Sequence, residues 1–296
     1  VIIVISVLAV LLLLVLIAGL AIWNYTKRDI PSSEHELQSI NSKNDIKMQP
    51  SPYSAVPDQS VFRENAVRSA RIQYDELLFG DKLGDGSFGS VMKAKYKGID
   101  VAVKISSLGA DANQNFLKEA EVHLSLSPHS NIVDTLGLCF LDGKPMLVLE
   151  FMANGSLRQL YKKKKDDFTF TEIKTYLSSI AAGMTFLHQN MIIHRDLACR
   201  NILISEDNTP KISDFGMSRK SAISGKAQET KNGIGPIRWM SPESMRKLYE
   251  PKSDVWSFGM VMYELIYRTI PFGEVDDLFD LAVRIRDKGY TPELDD

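Results

Sequence analysis

With 296 residues, 44% hydrophobic and 24% charged, and a net charge of −2, the chain has a globular composition with room for one sizeable domain and a further segment. Basic residues are neither in excess nor interleaved with aromatics, which argues against a nucleic-acid partner. Cys139 and Cys199 lack metal-ligand spacing and a disulfide framework, so both read as small buried residues of a cytosolic domain.

Val1 to Trp23 is apolar apart from Ser6 and carries no charge or proline. At about 1.5 Å per residue it reaches roughly 34 Å, enough to cross a hydrocarbon core of about 30 Å and longer than the apolar region of a signal peptide. Trp23 and Tyr25 suit an interface, and Lys27-Arg28 place the following chain on the cytoplasmic side. Residues 1–23 are therefore expected to form one transmembrane helix. Because the first residue is Val, a further extracellular part is expected before it. Residues 24–74 turn polar, with Pro31, Pro50, Pro52 and Pro57 and no sustained apolar period, as in a disordered juxtamembrane linker. Tyr53 reads as an ordinary loop tyrosine ahead of a phosphorylated docking site.

Order is expected from residue 75. Leu77 to Lys97 reads as two strands around Leu83-Gly84-Asp85-Gly86-Ser87-Phe88-Gly89-Ser90-Val91, a loop whose glycines let backbone amides close over phosphates. A dinucleotide-binding turn would need a helix directly after the third glycine, and a second strand follows instead. Val101-Ala102-Val103-Lys104 is a buried strand ending in a charge. A helix spans about Asp111 to Leu126, with Glu119 and Glu121 on different faces. Met146 to Met152 is a strand running into a turn at Asn154-Gly155. The Lys162–Lys165 run reads as a solvated loop. Thr169-Phe170-Thr171-Glu172 has capping-box spacing, and Ile173, Tyr176, Leu177, Ile180, Met184 and Leu187 share one face of the helix that follows. Ser253 opens a buried core helix that contains Glu264, and a final helix covers about Asp277 to Lys288.

The chemistry is concentrated in His194-Arg195-Asp196-Leu197-Ala198-Cys199-Arg200-Asn201, followed by Asp214-Phe215-Gly216. A carboxylate placed to accept a proton, an amide five positions on, and a second carboxylate before a glycine suit phosphoryl transfer, where the protein positions a cation, a nucleotide and a hydroxyl. With the upstream glycine loop and Lys104, the chain from about Leu77 onward resembles the protein kinase family, most closely receptor-type tyrosine kinases. The resemblance implies an α+β bilobal fold, with a small β-rich N-lobe holding one helix (75–152) and a larger helical C-lobe (153–296). ATP would lie under Gly84, Gly86, Ser87 and Gly89, against Val91, Ala102 and Leu203, with its adenine edge on backbone groups of Glu150 and Met152 and Leu149 guarding the back pocket. Lys104 would reach the phosphates and pair with Glu119. Asn201 and Asp214 would hold Mg²⁺, or Mn²⁺ in its place. Asp196 would be the base, Asp254 would accept hydrogen bonds from the loop backbone, and Arg195 would receive a phosphate carried by the activation segment. His123 departs from the family, which places an apolar residue there, and reads as a buried neutral histidine.

For the acceptor, Ala198 stands where serine/threonine kinases carry lysine. Arg200 and the segment Pro236 to Glu243 are similar to the tyrosine kinase pattern, with Ser241 where alanine is usual. Tyrosine is therefore expected, on the cytoplasmic side of a single-pass receptor that responds to an extracellular ligand and is compatible with a dimer. Asp214 to Glu243 contains no tyrosine, only Ser218, Ser221, Ser224, Thr230 and Ser241, which keeps a serine/threonine or dual-specificity enzyme as the alternative. A catalytically dead scaffold is disfavoured because Lys104, Asp196 and Asp214 are all present. The sequence stops at Asp296, before kinase domains usually end. Glu243 is thus expected to lack its usual arginine and the chain to be destabilised.

Overall fold

The computed structural model describes residues 70–86, 89–106, 110–164, 168–214, 219–220 and 236–294, all within the unit Pro57–Asp296. The apolar stretch 1–23, Tyr53, Ser87, Phe215, Gly216, Ser218, Ser221, Ser224 and Thr230 lie outside the described residues. Among those described, no helix is long and apolar enough to cross a membrane.

Five antiparallel strands make the first layer: β1 (Leu77–Gly86), β2 (Gly89–Tyr96), β3 (Ile99–Ser106), β4 (Thr135–Leu141) and β5 (Lys144–Glu150), in the order β1-β2-β3-β5-β4. The turns Lys97-Gly98 and Asp142-Gly143 both take left-handed backbone at two successive residues, the geometry that matches strand twist in a two-residue hairpin. Alternation then sorts the side chains. Val101, Val103, Met146 and Val148 point into one apolar cluster, which also takes in Cys139. Leu147 and Leu138 face the other way, against Phe116 and Ala120 of helix α1 (Ala110–Leu124). Lys104 alternates with Val101 and Val103 and so lies on the face that meets α1.

The linker, expected to stay irregular through residue 74, is already docked at residue 70. Ile72 N–H donates to Leu138 O and Leu138 N–H to Ala70 O, both at 2.8 Å, and Arg71 bridges Leu138 in parallel. Ile72, only 4% exposed, supplies the burial that a composition average hides. Gly137 supplies the room, because a Cβ there would sit 2.2 Å from Ala70 O.

Helices dominate the second layer: α2 (Leu157–Lys164), α3 (Phe170–Gln189), α4 (Pro242–Met245), α5 (Pro251–Tyr267) and α6 (Leu278–Lys288). Thr169 caps α3 with the expected box: its hydroxyl accepts from Glu172 N–H at 3.2 Å, and Thr169 N–H donates to Glu172 at 2.9 Å. Every apolar position assigned to the α3 face is buried. Lys162 to Lys164 end a helix rather than forming a loop, and Lys165 lies outside the described residues. Leu157 and Tyr161 are buried one turn apart, lysine is a good helix former, and cations are favoured at a helix C-terminus. Lys164 also pairs with Glu172 at 2.8 Å. Helix α5 starts at Pro251, two residues before the expected Ser253, because proline is preorganised for a first turn. The core of this layer joins Leu157, Tyr161, Ile180, Leu187, Leu197, Ile202, Val261 and Leu265. A sheet-built lobe and a helical lobe are thus both present, as expected.

Candidate active site

Lys104 Nζ lies 2.6 Å from Glu119 Oε1 and 2.9 Å from Asp214 Oδ1. Three remote stretches deliver these groups: β3, α1, and the chain two residues past β8 (Pro210–Ile212), which follows the short strands β6 (Ile192–Ile193) and β7 (Ile202–Ile204). Burial alone would depress the lysine, but the Asp214 and Glu119 charges outweigh it and hold the ammonium above its ordinary value. Glu119 is 3% exposed, whereas Glu121 is exposed, as their separation around α1 requires.

A second cluster surrounds Asp196. Its Oδ2 accepts from Asn201 Nδ2 at 2.9 Å, its carbonyl accepts from the same amide at 2.7 Å, and its Oδ1 meets the Arg200 guanidinium. Burial raises the Asp196 pKa against the lowering charge of Arg200. Arg200 also lies over the Trp239 ring, 4.4 Å from its centroid, so its direction is fixed from two sides.

Backbone bonds tie the two clusters together. Strands β7 (Ile202–Ile204) and β8 form a hairpin, with Ser213 N–H donating to Asn201 O at 2.9 Å. Asp196 N–H donates to His194 Nδ1 at 3.2 Å, so the ring proton sits on Nε2 and is donated to Ser213 O at 3.1 Å. Asp254, 1% exposed, accepts from the backbone N–H groups of His194 and Arg195, each at 2.9 Å, and from His188 Nε2 at the same distance. Arg195 and Asp214 both adopt left-handed backbone, with φ of 69° and 61°. For side chains with a Cβ that costs about 1 kcal/mol or more each and persists only where surrounding bonds impose it.

Within the sheet that carries Lys104, β1 and β2 bring Gly84 opposite Val91 and Gly86 opposite Gly89, and β2 and β3 bring Val91 opposite Lys104. Ala102 pairs with Leu149, so the expected roof and back pocket are neighbours on one sheet. Gly89 has φ 143°, which a residue with a Cβ rarely adopts. At the end of β5 the Glu150 carboxylate receives Lys211 Nζ at 2.8 Å and Asp134 N–H at 2.7 Å. Met152 O accepts from Gly155 N–H at 3.2 Å in the turn that follows. Half-buried Leu203 lies on β7, bridged to Ser156.

Asn201, which ends the 3-10 turn before β7, spends its amide N–H groups on Asp196, which leaves the carbonyl oxygen as its acceptor. One amide oxygen and one carboxylate, completed by phosphate oxygens and water, fit a hard divalent cation that keeps much of its hydration. Among the described residues no cluster of three or more His, Cys, Asp or Glu is arranged around a point, so a dedicated protein cage is absent.

Some roles were not foreseen. Fully buried Glu264 accepts from Cys199 N–H at 2.9 Å and from Trp239 Nε1 at 2.8 Å, tying the loop to the Pro236–Glu243 segment. A single acid in the apolar run that follows Asp254 was the available signal. The Arg195 guanidinium packs over the Tyr249 ring at 4.6 Å. Ser241 is 1% exposed and caps α4, donating its hydroxyl to Ser244 Oγ at 2.9 Å. Glu243 receives Ser253 Oγ at 3.4 Å. Arg238 donates to the carbonyls of Pro271, Phe272 and Val275, the last at 2.7 Å.

Residues 77–293 match the family model described as protein tyrosine and serine/threonine kinase. Fibroblast growth factor receptor 1 of Pleurodeles waltl is 32% identical over 240 residues, covering 70% of this chain and 29% of that protein. Tyrosine-protein kinase csk-1 of Caenorhabditis elegans is 34% identical over 238 residues, covering 79% of this chain and 43% of that protein. The chain therefore spans less than half the length of either relative.

Proposed function

Because this chain belongs to the protein tyrosine and serine/threonine kinase family, we propose that it transfers the γ-phosphate of ATP to protein tyrosine on the cytoplasmic side of a membrane receptor. The observation that carries the reading is the convergence of Lys104, Glu119 and Asp214 within 2.9 Å, linked through Ser213 to the Asp196–Asn201 loop. Lys104, oriented by Glu119, reaches the α- and β-phosphates under the Gly84–Gly89 roof. Asn201 and Asp214 would hold Mg²⁺ or Mn²⁺, which when bound would supply positive charge against the phosphate oxygens. Asp196 aligns the acceptor hydroxyl and takes its proton as the bond to phosphorus forms. Arg200, fixed between Asp196 and Trp239, sets the distance between base and platform that a long tyrosine side chain needs.

The receptor placement draws on the apolar stretch 1–23, the basic residues after it, and the growth-factor-receptor relative. On this reading residues 1–23 cross the bilayer, 24–74 link it to an N-lobe at 75–152 and a C-lobe at 153–296, and an extracellular ligand acts through a dimer. A second reading, serine/threonine or dual specificity, is favoured by the absence of tyrosine between Asp214 and Glu243.

The test uses purified chain with Mg²⁺ and ATP, assayed on poly-Glu-Tyr and on serine/threonine peptides. Transfer to tyrosine is expected. Asp196→Asn should lose roughly 10²–10⁴-fold in rate while keeping its thermal stabilisation by Mg²⁺-ATP. Exclusive serine/threonine transfer would establish the second reading. Nucleotide binding with no transfer from either form would identify a scaffold.

A further inference from the structure

We propose that His123, anchored by Thr135 of β4, is a positioning residue that steadies Glu119 against Lys104; its effect on transfer rests on the tyrosine-kinase reading above. Asn113, Phe116, Glu119, Ala120 and His123 share one face of α1, because they follow one another at helical spacing. The middle of that face is apolar, with Phe116 and Ala120 packed on Leu138 and Leu147. Apolar contact has no preferred direction, so by itself it leaves the helix able to slide or turn over the sheet. Hydrogen bonds toward the two ends supply direction. Ser106 Oγ, which closes β3, donates to Asn113 Oδ1 at 2.8 Å, and Thr135 Oγ1 lies 3.0 Å from His123 Nδ1. Glu119 sits between these two ties, one turn before His123.

Thr135 reaches the helix because β4 is bulged. From Gly137 to Leu141 the pairing with β5 is regular, but Thr135 pairs with Leu149, which leaves Leu136 as an extra residue in the strand. Uninterrupted alternation from Leu138 would turn Leu136 toward α1 and Thr135 away from it. With the bulge, Leu136 packs instead against the cluster that holds Val101, Val103 and Val148, and Thr135 joins Leu149 and Leu138 on the α1 side. Bulges beside active sites serve to re-aim a side chain in this way.

The neighbours of the ring fix its tautomer. His123 Nε2 lies 3.9 Å from Glu119 Oε1, so the ring proton belongs on Nε2, facing the carboxylate, and Nδ1 accepts from the Thr135 hydroxyl. The same Glu119 oxygen accepts Lys104 Nζ at 2.6 Å. At 3.9 Å the ring N–H acts on it through its dipole rather than as a hydrogen bond. A dipole held in place beside that oxygen limits the swing of the carboxylate, and with it the ammonium that the carboxylate holds. Where the family has an apolar side chain with no such direction, this chain carries a hydrogen-bonded ring.

The test compares Thr135→Val, which removes the hydroxyl but keeps the shape, with Thr135→Ser, which keeps the hydroxyl but loses a methyl. Both are measured where urea denaturation shows each variant folded. In the nucleotide-free chain, acylation of Lys104 by acetic anhydride, read by mass spectrometry, should quicken about tenfold in Thr135→Val and match the wild type in Thr135→Ser. With Mg²⁺-ATP and poly-Glu-Tyr, Thr135→Val should lose about tenfold in kcat at an unchanged KM for ATP, whereas Thr135→Ser keeps the wild-type kcat. In a His123→Leu background, adding Thr135→Val should change neither the labelling nor kcat. Wild-type labelling in Thr135→Val, equal quickening in the valine and serine variants, or a valine effect that persists in His123→Leu each overturns the proposal. No poly-Glu-Tyr transfer from the wild type overturns the tyrosine-kinase reading, and the labelling then decides the role of His123 by itself.

Discussion

Replacing Asp254 by alanine tests how the catalytic loop is held in its unfavourable backbone conformation. The carboxylate, almost fully buried, receives three donors at 2.9 Å. Two of them, the backbone N–H groups of His194 and Arg195, have nowhere to turn once it is gone. Each orphaned buried donor costs about 1–3 kcal/mol, whereas the partly exposed His188 ring can turn to water and adds little. The sum, about 2–6 kcal/mol, is a large share of the 5–15 kcal/mol typical of a whole domain. With a urea m-value of about 2 kcal/mol/M, the midpoint should fall by roughly 1–3 M at constant m. Asp254→Asn should lie between, because its carbonyl still satisfies one donor while its NH₂ confronts another. Transfer should fall more than the folded fraction does, since Arg195 is then free to leave its left-handed conformation. If both variants shift the midpoint by less than about 1 kcal/mol corresponds to, the carboxylate is not what holds the loop.

Two further outcomes follow from the same reasoning. Gly137→Ala should expel the Ala70–Gln73 segment, because the new Cβ meets a carbonyl of the backbone rather than a side chain that can rotate away. Losing two hydrogen bonds and the burial of Ile72 should cost about 3–5 kcal/mol, read by denaturation and by exposure of Ile72 to exchange; a change under about 1 kcal/mol would refute the docking. His123 is driven down to about 3, first by burial and then by the Lys104 charge, while its Nδ1 lies 3.0 Å from Thr135 Oγ1. Its folded pKa lies below the unfolded value, so between about pH 6.5 and 3 the unfolded chain binds the extra proton. Stability should therefore fall on acidification through that window by up to about 1.4 kcal/mol per pH unit, and His123→Leu should flatten the loss; equal slopes in both proteins would contradict this.

Much of the lower lobe was legible because local rules and tertiary packing agree there. The Thr169 box and the apolar period from Ile173 to Leu187 specify α3 almost residue by residue. The side of α1 that carries Glu119 was legible from helix geometry together with the family resemblance. The linker was misjudged at its end because one buried isoleucine decides residues 70–73, and its seat is a missing Cβ at Gly137, a vacancy visible only once β4 is paired. The lysine run was read from charge alone, although Leu157 and Tyr161 one turn apart marked a helix.

By itself the sequence determined which chemical groups exist and the local elements that carry them: an amine at the end of a buried strand, an acid on a helix, an acid and an amide five apart, and a glycine-lined hairpin. Tertiary structure alone decided that Lys104 touches two carboxylates, that Asp254 and Glu264 hold the loop, and that Ser241 is a cap. The reason is range. Periodicity and capping act over a few residues, whereas a buried carboxylate chooses its donors among backbone groups some sixty positions away, and only the packed core settles which of them arrive.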